Sequence, residues 1–319
     1  MSNLRTQCMN WLTKLRKLTG IRLSLTVICA GLVVVACAPA NSPLQEINGI
    51  SMIVATTSDV TVGQNRIGFS LFNFEGEAIV AKEVTVEAIF YPPNEQEGVI
   101  KDSAPAYWMS IPGGAGKGLY ITNLQFDVSG SGTQQNPNYW ELVASFTYEE
   151  ENLWSKAAIV VADESPVVAI GNEVPKSLTL TADTPEQLER ISTDINPDPD
   201  LYQLSIDEAV INGKPTVIVF ATPALCVSQV CGPIVDMVSN IKMKYEERLD
   251  FIHVEVFENP KALMDQGRFS GQQVEAVKEW GLVTEPWVFV VDRNGLLSAK
   301  FEIFVTEAEI ISAVEAVVN

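Results

Sequence analysis

Two cysteines, Cys226 and Cys231, stand four residues apart in ATPALCVSQVCGPIVDM (residues 221–237), and Gly232-Pro233 follows the second. Thiols at that spacing suit three chemistries: a redox couple, part of a metal site, or a disulfide that staples a loop. A metal site needs further ligands. The only histidine, His253, comes 22 residues after Cys231 inside the apolar stretch DFIHVEVF, where a lone His serves structure more often than ligation. No metal and no other cofactor is expected. Geometry constrains the remaining two chemistries. Five residues of α-helix rise about 7.5 Å, beyond the roughly 7 Å between Cα atoms that a disulfide spans. If bonded, the two cysteines cannot share one regular helix. Either VSQV is a loop ahead of a helix starting near Gly232, which is simpler, or bond formation unwinds a turn. A thiol at a helix start has a stabilised thiolate, as nucleophilic exchange requires.

The compartment bears on which chemistry is open. The first 36 residues carry Arg5, Lys14, Arg16, Lys17 and Arg22 and no acid, and they end in the apolar run LSLTVICAGLVVVA, Leu23 to Ala36. That run is shorter than the about 20 residues of a membrane-spanning helix and fits the core of a signal peptide. Its end, Val34-Val35-Ala36-Cys37, resembles a bacterial lipobox, in which small residues precede a cysteine that is lipidated and becomes the mature N-terminus. The resemblance implies a signal peptide over 1–36, a lipid on Cys37, a tether over 37–50, and a cell-membrane location facing outside the cytoplasm. Cys8 and Cys29 then leave with the leader, and with Cys37 lipidated only Cys226 and Cys231 remain as thiols. An oxidising compartment would join that pair for at least part of the time. Losing residues 1–36 also takes the net charge from −19 to −24, with 16 Lys+Arg against 40 Asp+Glu. So acidic a surface repels nucleic acid and anionic lipid, and no nucleic-acid partner is expected.

The pattern of the chain divides what surrounds the cysteines. From 51 to 162, segments such as RIGFSLFNF, EVTVEAIFY, KGLYITNLQFDV, YWELVASFTY and KAAIVVAD read as strands, separated by turn-rich NFEGEA, PPNEQEG, SGSGTQQNPN and YEEEN. Short strands at this spacing predict an antiparallel β-sandwich of immunoglobulin-like type, held by packing since no cysteine pair is free to cross it. Residues 163–203, rich in Pro, Asp, Thr and Ser, read as a linker with one helical turn near Pro185–Ile191. From 204 to 319 helix and strand alternate. A short helix capped by Ser205 precedes the strand KPTVIVFA. A helix with Pro233 in its first turn carries Ile234, Val238, Ile241 and Tyr245 on one stripe. Strand LDFIHVEVF, a partly helical stretch, strand PWVFVVD, turn RNG and strand LSAKFEIFV follow. A final helix opens with the capping box Thr306/Glu309. This order specifies a small α/β domain.

On three features this last third resembles a thioredoxin-like domain: the strand KPTVIVF leading into the cysteines, Cys231-Gly232-Pro233 at a helix start, and Thr284-Glu285-Pro286 before WVFVV. The resemblance implies a cis-proline at Pro286 facing the active-site cysteines, with Glu285 and Pro286 shaping the surface that receives a partner's extended segment. It departs from the family in three places. Val230 stands for the usual Trp, Ile234 for the second cysteine of Cys-Gly-Pro-Cys, and Val219 for a buried Asp that assists proton transfer in many thioredoxins. The activity implied is thiol–disulfide exchange through Cys226 and Cys231 with extracytoplasmic protein thiols or disulfides. Two alternatives stand beside it. One is a non-catalytic interaction protein whose Cys226–Cys231 disulfide is a structural staple. The other is a peroxiredoxin-like peroxidase, from the likeness of Thr222-Pro223, Cys226 and Cys231 to Thr-Pro-Gly-Cys-x4-Cys, with one residue too many between Thr and Cys.

Other signals are weaker. SIPGGAGKGLY lacks the first Gly and the final Ser or Thr of a phosphate loop and reads as a connection between strands. Trp108, Trp140 and Trp154 read as packing residues. For Trp287, next to Pro286, strand alternation decides whether the ring faces the core or the cysteines.

Overall fold

Period-two alternation of apolar residues builds the first half of the chain. The computed structural model describes residues 45–46, 49–111, 118–226, 229–268 and 270–318. They belong to one unit, Ser42–Asn319. Residues 1–36, expected as a signal peptide, Cys37 and most of the tether lie outside the described residues, as does 112–117 of the glycine-rich connection. Among the described residues no helix is long and apolar enough to cross a membrane.

Strands β1 (Gln45–Glu46), β2 (Ser51–Val54), β3 (Gly63–Phe72), β4 (Val84–Tyr91), β5 (Val99–Ser110), β6 (Gly118–Phe126), β7 (Tyr139–Tyr148) and β8 (Glu151–Ile159) pair in the order 1-8-7-4-5-6-3-2. All these pairings are antiparallel except the short one between β1 and β8. The sheet folds over on β5, which pairs with β4 as far as Ala106 and with β6 from Tyr107 onward. Pro105 sits just before that change of partner, where a strand tolerates a residue without an N–H. Phe69, Leu71, Val86, Phe90, Phe126, Trp140 and Leu142 fill the space between the layers. Tyr120, wholly buried among them, accepts a hydrogen bond from the Ala81 N–H at 2.6 Å and donates to the Ile79 carbonyl at 3.0 Å. Trp140 is fully buried and Trp108 packs edge-on against Tyr120, so both serve the core, while Trp154 is half-buried.

The second half is a four-stranded sheet between two helical layers. Strands β9 (Thr216–Phe220), β10 (Asp250–Val254), β11 (Trp287–Val291) and β12 (Leu297–Glu302) lie in the order 10-9-11-12. β10 runs parallel to β9, and β11 runs antiparallel to both β9 and β12. Helices α1 (Pro185–Ile191), α3 (Cys231–Tyr245) and α6 (Glu307–Val318) cover one face through Leu188, Ile234, Val238, Ile241, Ile310 and Val314, which pack on Val217, Val219, Val288 and Val290. The other face carries α2 (Ile206–Ala209) and α5 (Glu275–Glu279) over Ile218, Phe220, Phe289 and Val291. Helix α4 (Pro260–Asp265) lies beside α1. The strand order and the single reversed strand give this half a thioredoxin-like fold, and the peptide bond between Glu285 and Pro286 is cis.

Residues 163–203, expected as a linker, are folded against that domain. Val167 and Val174 are buried on the α2–α5 face, while Ala182, Leu188, Leu201 and Tyr202 are buried on the α3 face. The segment also hydrogen-bonds to the sheet, with Gly171 N–H on the Leu297 carbonyl and Leu297 N–H on the Asn172 carbonyl. Its polar composition conceals these anchors because the acids have structural partners too. Asp198 and Asp200 hold the buried Lys242 of α3 at 3.0 and 2.5 Å.

Candidate functional site

Strand β9 delivers the chain into the cysteine loop. Cys226 lies before α3 and Cys231 is the first residue of that helix, so the pair does not share one regular helix. They form a disulfide with Cα atoms 6.1 Å apart, inside the reach that the spacing argument required. Residues 227 and 228 of VSQV lie outside the described residues. The helix begins two residues before Pro233, which still falls in the first turn, where its missing N–H costs no intrahelical bond. The two sulfur-bearing residues differ in environment. Cys231 is wholly buried under the α3 face of the sheet, whereas Cys226 is half-buried at its margin. No side chain caps the start of α3 and no acid lies in its first turn, so the positive end of the helix acts on Cys231 unopposed from within the helix.

The cis-proline loop meets this disulfide from the neighbouring strand. Glu285 places Oε2 3.7 Å from Cys231 Sγ, and buried Pro286 follows it into β11. Burial pushes the Glu285 carboxyl above its usual range, while hydrogen bonds from Thr222 pull it partly back. Trp287 turns the other way. Its ring stacks on Phe289 on the α5 side, and its Nε1–H donates to Thr284 Oγ1 at 3.1 Å.

Behind Glu285 lies a second carboxyl that the sequence reading passed over. Glu255, just past the end of β10, is buried, and its Oε1 accepts from the Thr193 N–H at 2.5 Å and the Thr193 hydroxyl at 2.8 Å. Burial pushes it up to about 8 against those hydrogen bonds, and Glu285 adds repulsion. Thr222 stands between the two carboxyls, and its hydroxyl also accepts from Val256 N–H at 3.1 Å. The carboxyl nearest Cys231 comes from the cis-proline loop and not from β9, where Val219 stands. The single signal for Glu255 in the sequence was an acid placed inside the apolar run IHVEVF.

His253 is a structural residue. Its Nε2–H donates to the Ala221 carbonyl at 3.0 Å, which leaves Nδ1 to accept from the Tyr202 hydroxyl at 2.6 Å. Complete burial holds it down at about 4, so it stays neutral. Among the described residues no group of His, Cys, Asp and Glu is arranged to hold a metal ion. The Thr222 hydroxyl, which a peroxidase would turn toward the cysteines, is taken up by Val256 and Glu285.

No family model and no curated protein matches this chain. Among solved structures it is similar to MTB DsbF in its mixed oxidized and reduced forms, at 18% identity over 35% of this chain and 85% of the other, with a TM-score of 0.28. It is also similar to a thiol:disulfide interchange protein, a thioredoxin family protein from Chlorobium tepidum TLS, at 19% identity over 48% of this chain and 100% of the other, with a TM-score of 0.30. Likeness at this level carries none of the functional reading, which rests on the geometry of this chain's own residues.

Proposed function

We propose that this chain is a thiol–disulfide oxidoreductase that works outside the cytoplasm, anchored to a membrane by a lipid on Cys37. The observation that carries the reading is the unequal disulfide: half-buried Cys226 bonded to buried Cys231, with the Glu285 carboxyl 3.7 Å from the buried sulfur. A partner thiolate attacks Cys226 Sγ. The Cys226–Cys231 bond breaks, a partner–Cys226 disulfide forms, and Cys231 leaves as a thiolate stabilised at the start of α3. A second partner thiolate then attacks the partner sulfur of the mixed disulfide and releases Cys226. The partner's dithiol loses two electrons and the protein's disulfide gains them. The reverse sequence reduces a partner disulfide. Pro286 and Glu285 form the lip against which an extended partner segment lies.

The first domain is an immunoglobulin-like sandwich in this reading. Its strand neighbours support it: β2-β3-β6-β5 forms one layer and β5-β4-β7-β8 the other, the ABED and CFG pattern with the shared β5 between them. It presents a partner or spaces the redox domain from the membrane.

One observation favours a second reading, in which the disulfide only staples the loop: both cysteines pack on the apolar cluster beneath α3. Titration of the couple in glutathione buffers separates the two. A reduction potential above about −300 mV, with exchange complete in minutes, is the expected outcome and marks a labile couple. A lower potential with slow exchange marks the staple and removes the oxidoreductase reading.

A further inference from the structure

The sandwich does not merely precede the redox domain, because it grips the cis-proline loop. Ser58, in the turn after β2, donates its hydroxyl to Glu302 Oε1 at 2.6 Å and its N–H to the same oxygen at 3.3 Å. Thr284 donates to that oxygen at 2.8 Å, and its Oγ1 lies 3.3 Å from Ser58 Oγ. One buried carboxylate oxygen at the end of β12 therefore gathers a residue of the sandwich and a residue of the Thr284-Glu285-Pro286 loop. The next residue, Ile303, has φ +62, a left-handed conformation that a β-branched side chain adopts only under constraint. Two contacts constrain it. Its N–H donates to the Pro286 carbonyl at 2.8 Å, and its side chain packs with Phe304 against Leu119 and Ile121 of the sandwich.

Resting on the exchange reading above, we propose that Ser58 is a positioning residue. Through Glu302 and Thr284 it fixes Glu285 and Pro286 against Cys231, so the redox site is complete only with the sandwich docked. Arg66 and Glu309 join the same two domains by a bidentate pair at 2.8 and 3.1 Å, and neither side chain hydrogen-bonds to Thr284 or Glu302. They provide a control for docking as such.

The test measures, in the full chain, the second-order rate of disulfide exchange with a reduced two-cysteine peptide. Ser58→Ala should slow it about tenfold, the scale set by a small misplacement of reacting groups. Ser58→Thr, which keeps the hydroxyl, should return to within about threefold of the original rate, and Arg66→Met should stay within the same range. The inference is overturned if Ser58→Ala exchanges at the original rate, if Ser58→Thr fails to restore it, or if Arg66→Met falls as far as Ser58→Ala. An unchanged Ser58→Ala rate leaves the oxidoreductase reading standing. An unsubstituted chain that does not exchange with the peptide removes that reading and the inference together.

Discussion

Glu255 and His253, two residues apart in sequence at the buried end of β10, titrate in opposite senses. Glu255 is raised from about 4.5 to about 8, so the folded chain keeps a proton that the unfolded chain releases. Its contribution to stability is complete below about pH 4.5 and is lost as pH rises through 8. His253 is depressed from 6.5 to about 4, so its contribution is complete above 6.5 and is lost as pH falls through 4. Between pH 4.5 and 6.5 the two slopes oppose each other. Above 6.5 only Glu255 of this pair still titrates, and 1.5 units correspond to about 2 kcal/mol. Urea unfolding at pH 6.5 and pH 8 should show a loss of that order, and Glu255→Gln should flatten it. At this scale the sequence was partly legible. Cys226 and Cys231 stood out by type and spacing, and Glu285 and Pro286 only through the thioredoxin-like resemblance. The Thr193–Glu255 and Ser58–Glu302 bonds did not, because they join residues 62 and 244 positions apart and no local pattern encodes such a meeting.

Periodic elements were the legible ones. The strands of the second domain, the Thr306/Glu309 box and α1 at Pro185–Ile191 follow from local pattern alone. β5 escaped because VIKDSAPAYWMS shows no clean alternation, is largely exposed and is interrupted by Pro105. Changing partners midway leaves it without one consistently buried face. The start of α3 was placed near Gly232 rather than at Cys231, since the pattern had no cap to mark it. The buried anchors of 163–203 were hidden because they follow neither a helical nor a strand period and stand in stretches rich in Pro, Asp and Thr. Gly281, after α5, shows how closely this segment is applied. It has φ +70, and a Cβ there would lie 2.0 Å from the Pro166 carbonyl oxygen. Gly281→Ala should therefore destabilise the protein by about 2 kcal/mol or more, read as a lowered urea midpoint with an unchanged slope.

For the molecule as a whole, the segment 163–203 decides where the second domain begins. Val167, Val174, Leu188, Leu201 and Tyr202 are all buried in it, at about 2 kcal/mol for each apolar side chain. Their sum approaches the whole stability of an ordinary domain. A chain starting at 204 should show no cooperative unfolding by Trp280 and Trp287 fluorescence, whereas one starting at 163 should. The segment touches both helical layers, so it passes around the sheet like a strap. Synthesis runs in the opposite sense to this wrapping. The strap emerges before any strand of the sheet it encloses, and α6, which completes the layer over α3, emerges last. The sandwich can close while the rest is still being made. The second domain must wait for its final helix with its strap uncovered, and both thiols emerge before Glu285 arrives to stand beside them.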